Sequence, residues 1–242
     1  RTLENMHKES ELIYAFWGRN AAMPTVTEYN TEINSETGLT DFWGSSFTYS
    51  RLGNNYATLE ATTPWGQTLV VPMDLGPPEW RVFVTSGTWK GNLGGAIGAD
   101  QKCQIAADNS GLRGTYMAWL SIGTGQPPNS RFANVGTAHP FVRIDGVKIA
   151  DNWGDLTGGS ILNSIDITEN GTLKGTNVWT NVDADGTAST PGGDCTDWTS
   201  TSTFEIGASG TNLSNFGDDW TRGPDITRCG LNLSLYCFQT EF

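Results

Sequence analysis

The segment SNFGDDWTRG, residues 214–223, gathers Asn215, Phe216, Asp218, Asp219, Trp220 and Arg222 in ten residues of irregular chain. An indole face stacks on the C–H face of a sugar ring, and amide, carboxylate and guanidinium groups beside it bond the hydroxyls. The same residue types also build structural corners, so both readings stand. Asn215, Asp218, Asp219, Trp220 and Arg222 are the candidate ligand-binding residues. To act as general acid and base on a glycosidic bond, Asp218 and Asp219 would have to converge, and adjacent carboxylates commonly point apart.

A second constellation is NVDADGTAST, residues 181–190, where Asp183 and Asp185 alternate before Gly186 as at the start of a calcium loop. The glutamate that closes an EF-hand is absent at the expected distance, and a turn held by its own Asp side chains is the plainer reading. Calcium through Asp183 and Asp185 is therefore a weak candidate, and no other cofactor is expected. With only His7 and His139, far apart, no Ser-His-Asp arrangement can be argued, and no Gly-rich phosphate loop follows a strand. The chain is not expected to be an enzyme.

Four cysteines, Cys103, Cys195, Cys229 and Cys237, allow three pairings and contain no CxxC spacing. Neither histidine lies beside a cysteine, so a Cys/His zinc site has little support and disulfides in an oxidising compartment are expected. With 14 Lys plus Arg against 26 Asp plus Glu, the net charge is −12. Such a charge repels nucleic acid and anionic membranes and suits a neutral or cationic partner. No apolar run approaches the ~20 residues that cross a bilayer. The first residue is Arg1, so a targeting segment or longer upstream region is allowed for.

The elements that must position these residues are mostly short. Thirty glycines, with Ser, Thr and Asn crowding the connections, suit strands joined by tight turns. Residues 1–20 place Leu3, Met6, Ser10, Ile13 and Trp17 on one helical seam, read either as a coiled-coil or stalk end or as a helix docked on the next domain. Residues 21–79 hold β-branched and aromatic runs that form a β-rich connector, and Gly76-Pro77-Pro78 marks its boundary. In residues 80–242 the pattern predicts a strand from Trp80. ADQKCQIAADNSGL follows as a helix with Ala99, Cys103 and Ala106 on one face and Gly111 at its C-cap. Further strands are TYMAWLS, a hairpin about Asp145-Gly146, NVWTNV and NLSLYCF. Trp153, Trp179 and Trp198 read as buried packing.

The run GGAIGADQKCQIAADNSGLRGTYMAWLS, with DCTDWTS around Cys195 and CGLNLSLYCFQTEF around Cys229 and Cys237, resembles endostatin, the C-terminal domain of certain vertebrate collagens. It is more similar still to bacterial extracellular domains that share these signatures and add FVRIDG, Asn152-Trp153 and Val178–Thr180 type runs. The resemblance spans about residues 80–242. It implies an α+β, C-type-lectin-like (endostatin-like) head with an outer Cys103–Cys237 and an inner Cys195–Cys229 bridge. The Glu-Pro-Asn and Trp-Asn-Asp strings that hold calcium in sugar-binding lectins do not occur, nor do endostatin's N-terminal histidines and basic heparin face. The expected protein is a secreted or cell-surface adhesion module at a fibre tip, a homotrimer by analogy, binding a surface glycan. The alternative is a matrix module binding a cell-surface protein, with a glycoside hydrolase further behind.

Overall fold

In the computed structural model the described residues are 2–20, 23–51, 56–74, 79–112, 114–132, 139–190, 193–223 and 226–241. The Gly76-Pro77-Pro78 stretch lies outside them. The chain divides into two compact units, Arg1–Pro78 and Glu79–Phe242.

The first unit opens with helix α1, Thr2–Asn20. A capping box, Thr25 with Glu28, then starts a helical stretch that loosens into a π turn over Tyr29–Asn34. Three antiparallel strands follow as a meander: β1 (Thr48–Arg51), β2 (Tyr56–Thr62) and β3 (Thr68–Asp74). Ala57, Leu59 and Ala61, two apart on β2, share a face and bury against Met6, Ile13 and Phe16 of α1, with Tyr29, Ile33, Tyr49 and Met73. This corrects the stalk reading of residues 1–20. Met6 and Ile13 are enclosed by their own unit and Leu3 points to solvent, so of the two readings of residues 1–20 the docked helix is the one seen.

The second unit is α+β and carries both bridges, Cys103–Cys237 and Cys195–Cys229, as the resemblance implied. Its eight-stranded sheet comprises β4 (Trp80–Val84), β5 (Thr115–Ala118), β6 (Phe141–Arg143), β7 (Lys148–Ala150), β8 (Asn177–Trp179), β9 (Ile206–Thr211), β10 (Ile226–Arg228) and β11 (Ser234–Glu241). The order is β10-β9-β8-β11-β4-β6-β7, with β5 pairing β11. Residues alternate between two cores. Tyr236 and Phe238 face Trp119, Trp220 and Phe141, whereas Leu235 and Cys237 face helix α2, Gly95–Asn109.

Helix α2 buries Ala96, Ala99, Cys103 and Ala107, so the apolar face runs through Ala107 rather than Ala106. Gly111, at φ +70°, ends it in the left-handed conformation a C-cap wants. Its polar residues staple β5: Asp100 accepts from the Ala118 amide at 2.9 Å and pairs with Arg131, and Gln104 accepts from the Tyr116 amide at 2.8 Å. The hairpin of β6 and β7 turns at Gly146, φ +89°, as the Asp-Gly pair predicts. Among the described residues no helix is long and apolar enough to cross a membrane. The two bridges belong to an oxidising compartment.

Candidate functional site

Strand β9 leaves the sheet at Thr211 and the chain returns through a loop and a 3-10 turn, Gly217–Trp220, before β10. Asn212 is buried at the start of this loop. Its side chain accepts from the Thr176 amide at 2.7 Å and donates to the Lys174 carbonyl, which fixes 174–176 beside it. Asn215 donates to the Leu162 carbonyl at 3.2 Å, and its own carbonyl accepts from Ile161 at 2.9 Å. The Gly217 amide donates to the Ser160 hydroxyl at 2.9 Å. Three segments of chain thus meet: 160–162, 173–176 and 211–217.

Of the expected ligand residues only Trp220 is buried; Arg222 is partly buried, and Asn215, Asp218 and Asp219 stand at the surface. Trp220 has 0% exposure, lies 5.3 Å from the Trp119 ring and donates its indole N–H to the Gly159 carbonyl at 2.9 Å. This corrects the sugar-platform reading, because a fully enclosed ring offers no face to a ligand. Asp218 accepts from the Ala184 amide at 3.0 Å. Arg222 pairs with Asp183 at 3.1 Å, both partly buried. Asn215, Asp218, Trp220 and Arg222 therefore form the structural corner, tying the 159–162 and 182–185 turns together. Asp219 is exposed, with no described contact between its carboxylate and that of Asp218.

The calcium expectation is corrected in the same place. The Asp183 carboxylate is taken by the Arg222 guanidinium and by the Ser189 hydroxyl at 2.7 Å. Asp185 accepts from both the amide and the hydroxyl of Thr187, at 2.9 and 2.6 Å, and these bonds hold its carboxyl below the usual range. The two side chains hold their own turn. Among the described residues no cluster of three or more His, Cys, Asp or Glu is placed to bind a metal.

The inner bridge sits in an unusual backbone. Cys195, Thr196, Asp197 and Trp198 take φ of 51°, 58°, 51° and 59°, one left-handed turn of non-glycine residues. Each such residue costs roughly 1–2 kcal/mol, so the surroundings must impose the turn. Cys229 holds one end, and the buried Trp198 holds the other by donating to the Ser121 carbonyl at 2.8 Å. The Trp198 carbonyl accepts from the Leu93 and Gly94 amides. Gly91 lies against Cys195 so closely that an added Cβ would overlap its sulfur.

Beside the exposed Asn215, large apolar side chains face outward at the 211–217 loop. Phe216 is 75% exposed, and Leu162, Leu173 and Leu213 are exposed with it; the Leu213 side chain lies across Gly175, within 3.1 Å of where a Cβ would stand. Sequence reasoning missed the three leucines. They lie on three separate segments, Leu162 after Ile161, Leu173 before Lys174 and Leu213 between Asn and Ser, and the hydrogen bonds of Asn212, Asn215 and Gly217 help bring those segments together.

No protein-family model matches the chain, and no curated protein matches it in sequence.

Proposed function

We propose that the chain is an extracellular recognition module whose C-terminal unit binds a cell-surface protein through Leu162, Leu173, Leu213 and Phe216. The observation that supports this is the exposed apolar cluster itself, Leu162, Leu173, Leu213 and Phe216, carried on a loop that the bonds of Asn215, Asp218 and Arg222 hold in place. An exposed apolar cluster with acidic neighbours, here Asp218 and Asp219, fits a protein surface with a complementary neutral or basic rim. The two bridges support placement outside the cytoplasm, as a secreted or surface-displayed protein. The likeness of residues 80–242 to endostatin and C-type-lectin-like heads supports a role in adhesion by analogy alone.

The test is binding of the labelled chain to a panel of intact cells, before and after the cells are treated with protease or with periodate. Protease should abolish binding and periodate should leave it. Phe216→Ser should weaken it about tenfold or more, the effect of losing one interface anchor. Binding that survives protease but not periodate would return the C-terminal unit to the glycan reading.

A further inference from the structure

Three aromatic side chains of the first unit stand in solvent together: Phe42 at 63%, Trp43 at 39% and Trp65 at 67% exposure. Large aromatic side chains usually bury, so a cluster of exposed rings marks a contact surface. The rings touch edge to face. Trp43 and Trp65 have centroids 5.4 Å apart at 86°, and Phe42 and Trp43 5.6 Å apart at 84°.

Two tips of chain present them, and both are tied down. In the 40–46 loop the buried Asp41 carboxylate accepts from the Trp43 and Ser45 amides, each at 2.8 Å. The first turn of α1 holds this loop from below: the Thr2 hydroxyl accepts from the Phe42 amide at 2.8 Å, and Asn5 donates to the Thr40 carbonyl at 2.7 Å. The second tip is the turn between β2 and β3. There the Gly66 amide donates to the Thr63 carbonyl at 2.9 Å, the Gln67 amide to the Thr63 hydroxyl at 2.9 Å, and Gly66 takes φ +85°. The Trp65 indole N–H donates to the Gln67 side chain at 3.3 Å. The cluster is therefore held in place before any ligand arrives.

Two indoles at a right angle make an open corner with two apolar walls. The Thr62 and Thr68 hydroxyls, 3.3 Å from each other, and the Gln67 amide sit on the turn that carries one wall. A pyranose has the matching shape, an apolar C–H face and an edge of hydroxyls. Residues 38–50 and 57–74 contain no lysine or arginine, so this part of the chain lacks the cations that draw acidic polysaccharides or anionic lipid. The nearby carboxylate, Asp41, is turned into its own loop. Three part-exposed rings offer roughly 300–400 Å², well under the roughly 800 Å² that each partner of a stable protein pair buries. We propose that the Phe42–Trp43–Trp65 corner is a binding site for a neutral glycan, separate from the protein-binding surface around Phe216.

The full chain is run through native gels cast with dextran, α-mannan or β-glucan. It is then titrated with oligosaccharides of the retarding polymer while tryptophan emission is followed. At least one neutral polymer should retard it, and the emission should shift on titration. Trp65→Ala should weaken binding about tenfold or more without moving the melting temperature, Trp65→Phe should keep part of it, and Phe216→Ser should bind as the parent does. Should Trp65→Ala fold poorly, Trp43→Ala gives the same reading. The proposal is overturned if none of the three polymers retards the chain, or if Trp65→Ala binds as well as the parent. Cosedimentation with zwitterionic vesicles that depends on Trp65 overturns it in favour of lipid. A concentration-dependent dimer that Trp65→Ala dissolves overturns it in favour of a second copy.

Discussion

At the scale of single residues the C-terminal loop offers a clean contrast between two aromatic side chains four positions apart. Trp220 is enclosed by Trp119 and Tyr236, so Trp220→Ala should cost about 3–5 kcal/mol and melt early. Phe216→Ser should leave the melting temperature nearly unchanged, and thermal denaturation of the two variants side by side checks both. Sequence alone ranks them the wrong way round, since tryptophan beside two aspartates and an arginine reads as a ligand platform. Exposure is a property of the closed fold, and nothing local to residues 214–223 marks which ring the Gly159 carbonyl will claim. A second residue-scale prediction concerns Glu9. Its carboxyl is buried, takes one hydrogen bond from the Tyr29 hydroxyl at 2.6 Å and leaves Oε2 without a partner. Burial pushes its pKa up, and the Tyr29 bond opposes this in part. A carboxyl raised in the folded state contributes stability below its unfolded pKa and loses it as pH climbs through the folded value. The first unit should therefore melt higher near about pH 5 than near about pH 8, and Glu9→Gln should flatten that dependence.

At the scale of elements, helix α1 and strand β9 each show what packing demands of a sequence. The helix was legible from the spacing of Met6, Ile13 and Trp17, but not what would cover its apolar seam. Periodicity reveals a face and leaves its partner open. Here the partners are β2 and the π turn over Tyr29–Asn34. Ile13→Ala should cost about 2–5 kcal/mol in the first unit, a loss that calorimetry would assign to that unit's transition. Light scattering of the same variant should match the parent, since Ile13 is already enclosed within its own unit. Helix α2 was legible further, through Gly111 and the alanine face, because cap and face are both written locally. The cysteine pairing came from resemblance to a family; spacing left three choices open. Strand β9 carries a constraint of the opposite kind. Gly210 lies under the Trp220 carbonyl with no room for a Cβ, and backbone rather than a movable side chain is what it would strike. Gly210→Ala should cost roughly 1–3 kcal/mol by overpacking and lift the 217–222 segment from the sheet, which hydrogen exchange at the Thr221 and Arg222 amides would report.

At the scale of the whole molecule, all four cysteines lie in the second unit. Reduction should therefore act there alone, removing about 2–5 kcal/mol per bridge. Exchange protection should fall across α2 and β11 and persist across α1. The position of β11 in the order of the chain has a further effect. It is the last of its unit's strands in sequence, yet it pairs with β4, β5 and β8 and carries Cys237. The sheet cannot close until that strand is present, so a growing chain in which β11 is still in the ribosome holds an unfinished second unit while the first can already be complete. A protein that must pass through a narrow secretion pore before it folds gains from such a delay. A chain exported in that state would keep its second unit threadable until β11 has emerged, and Cys103 would meet Cys237 only after that.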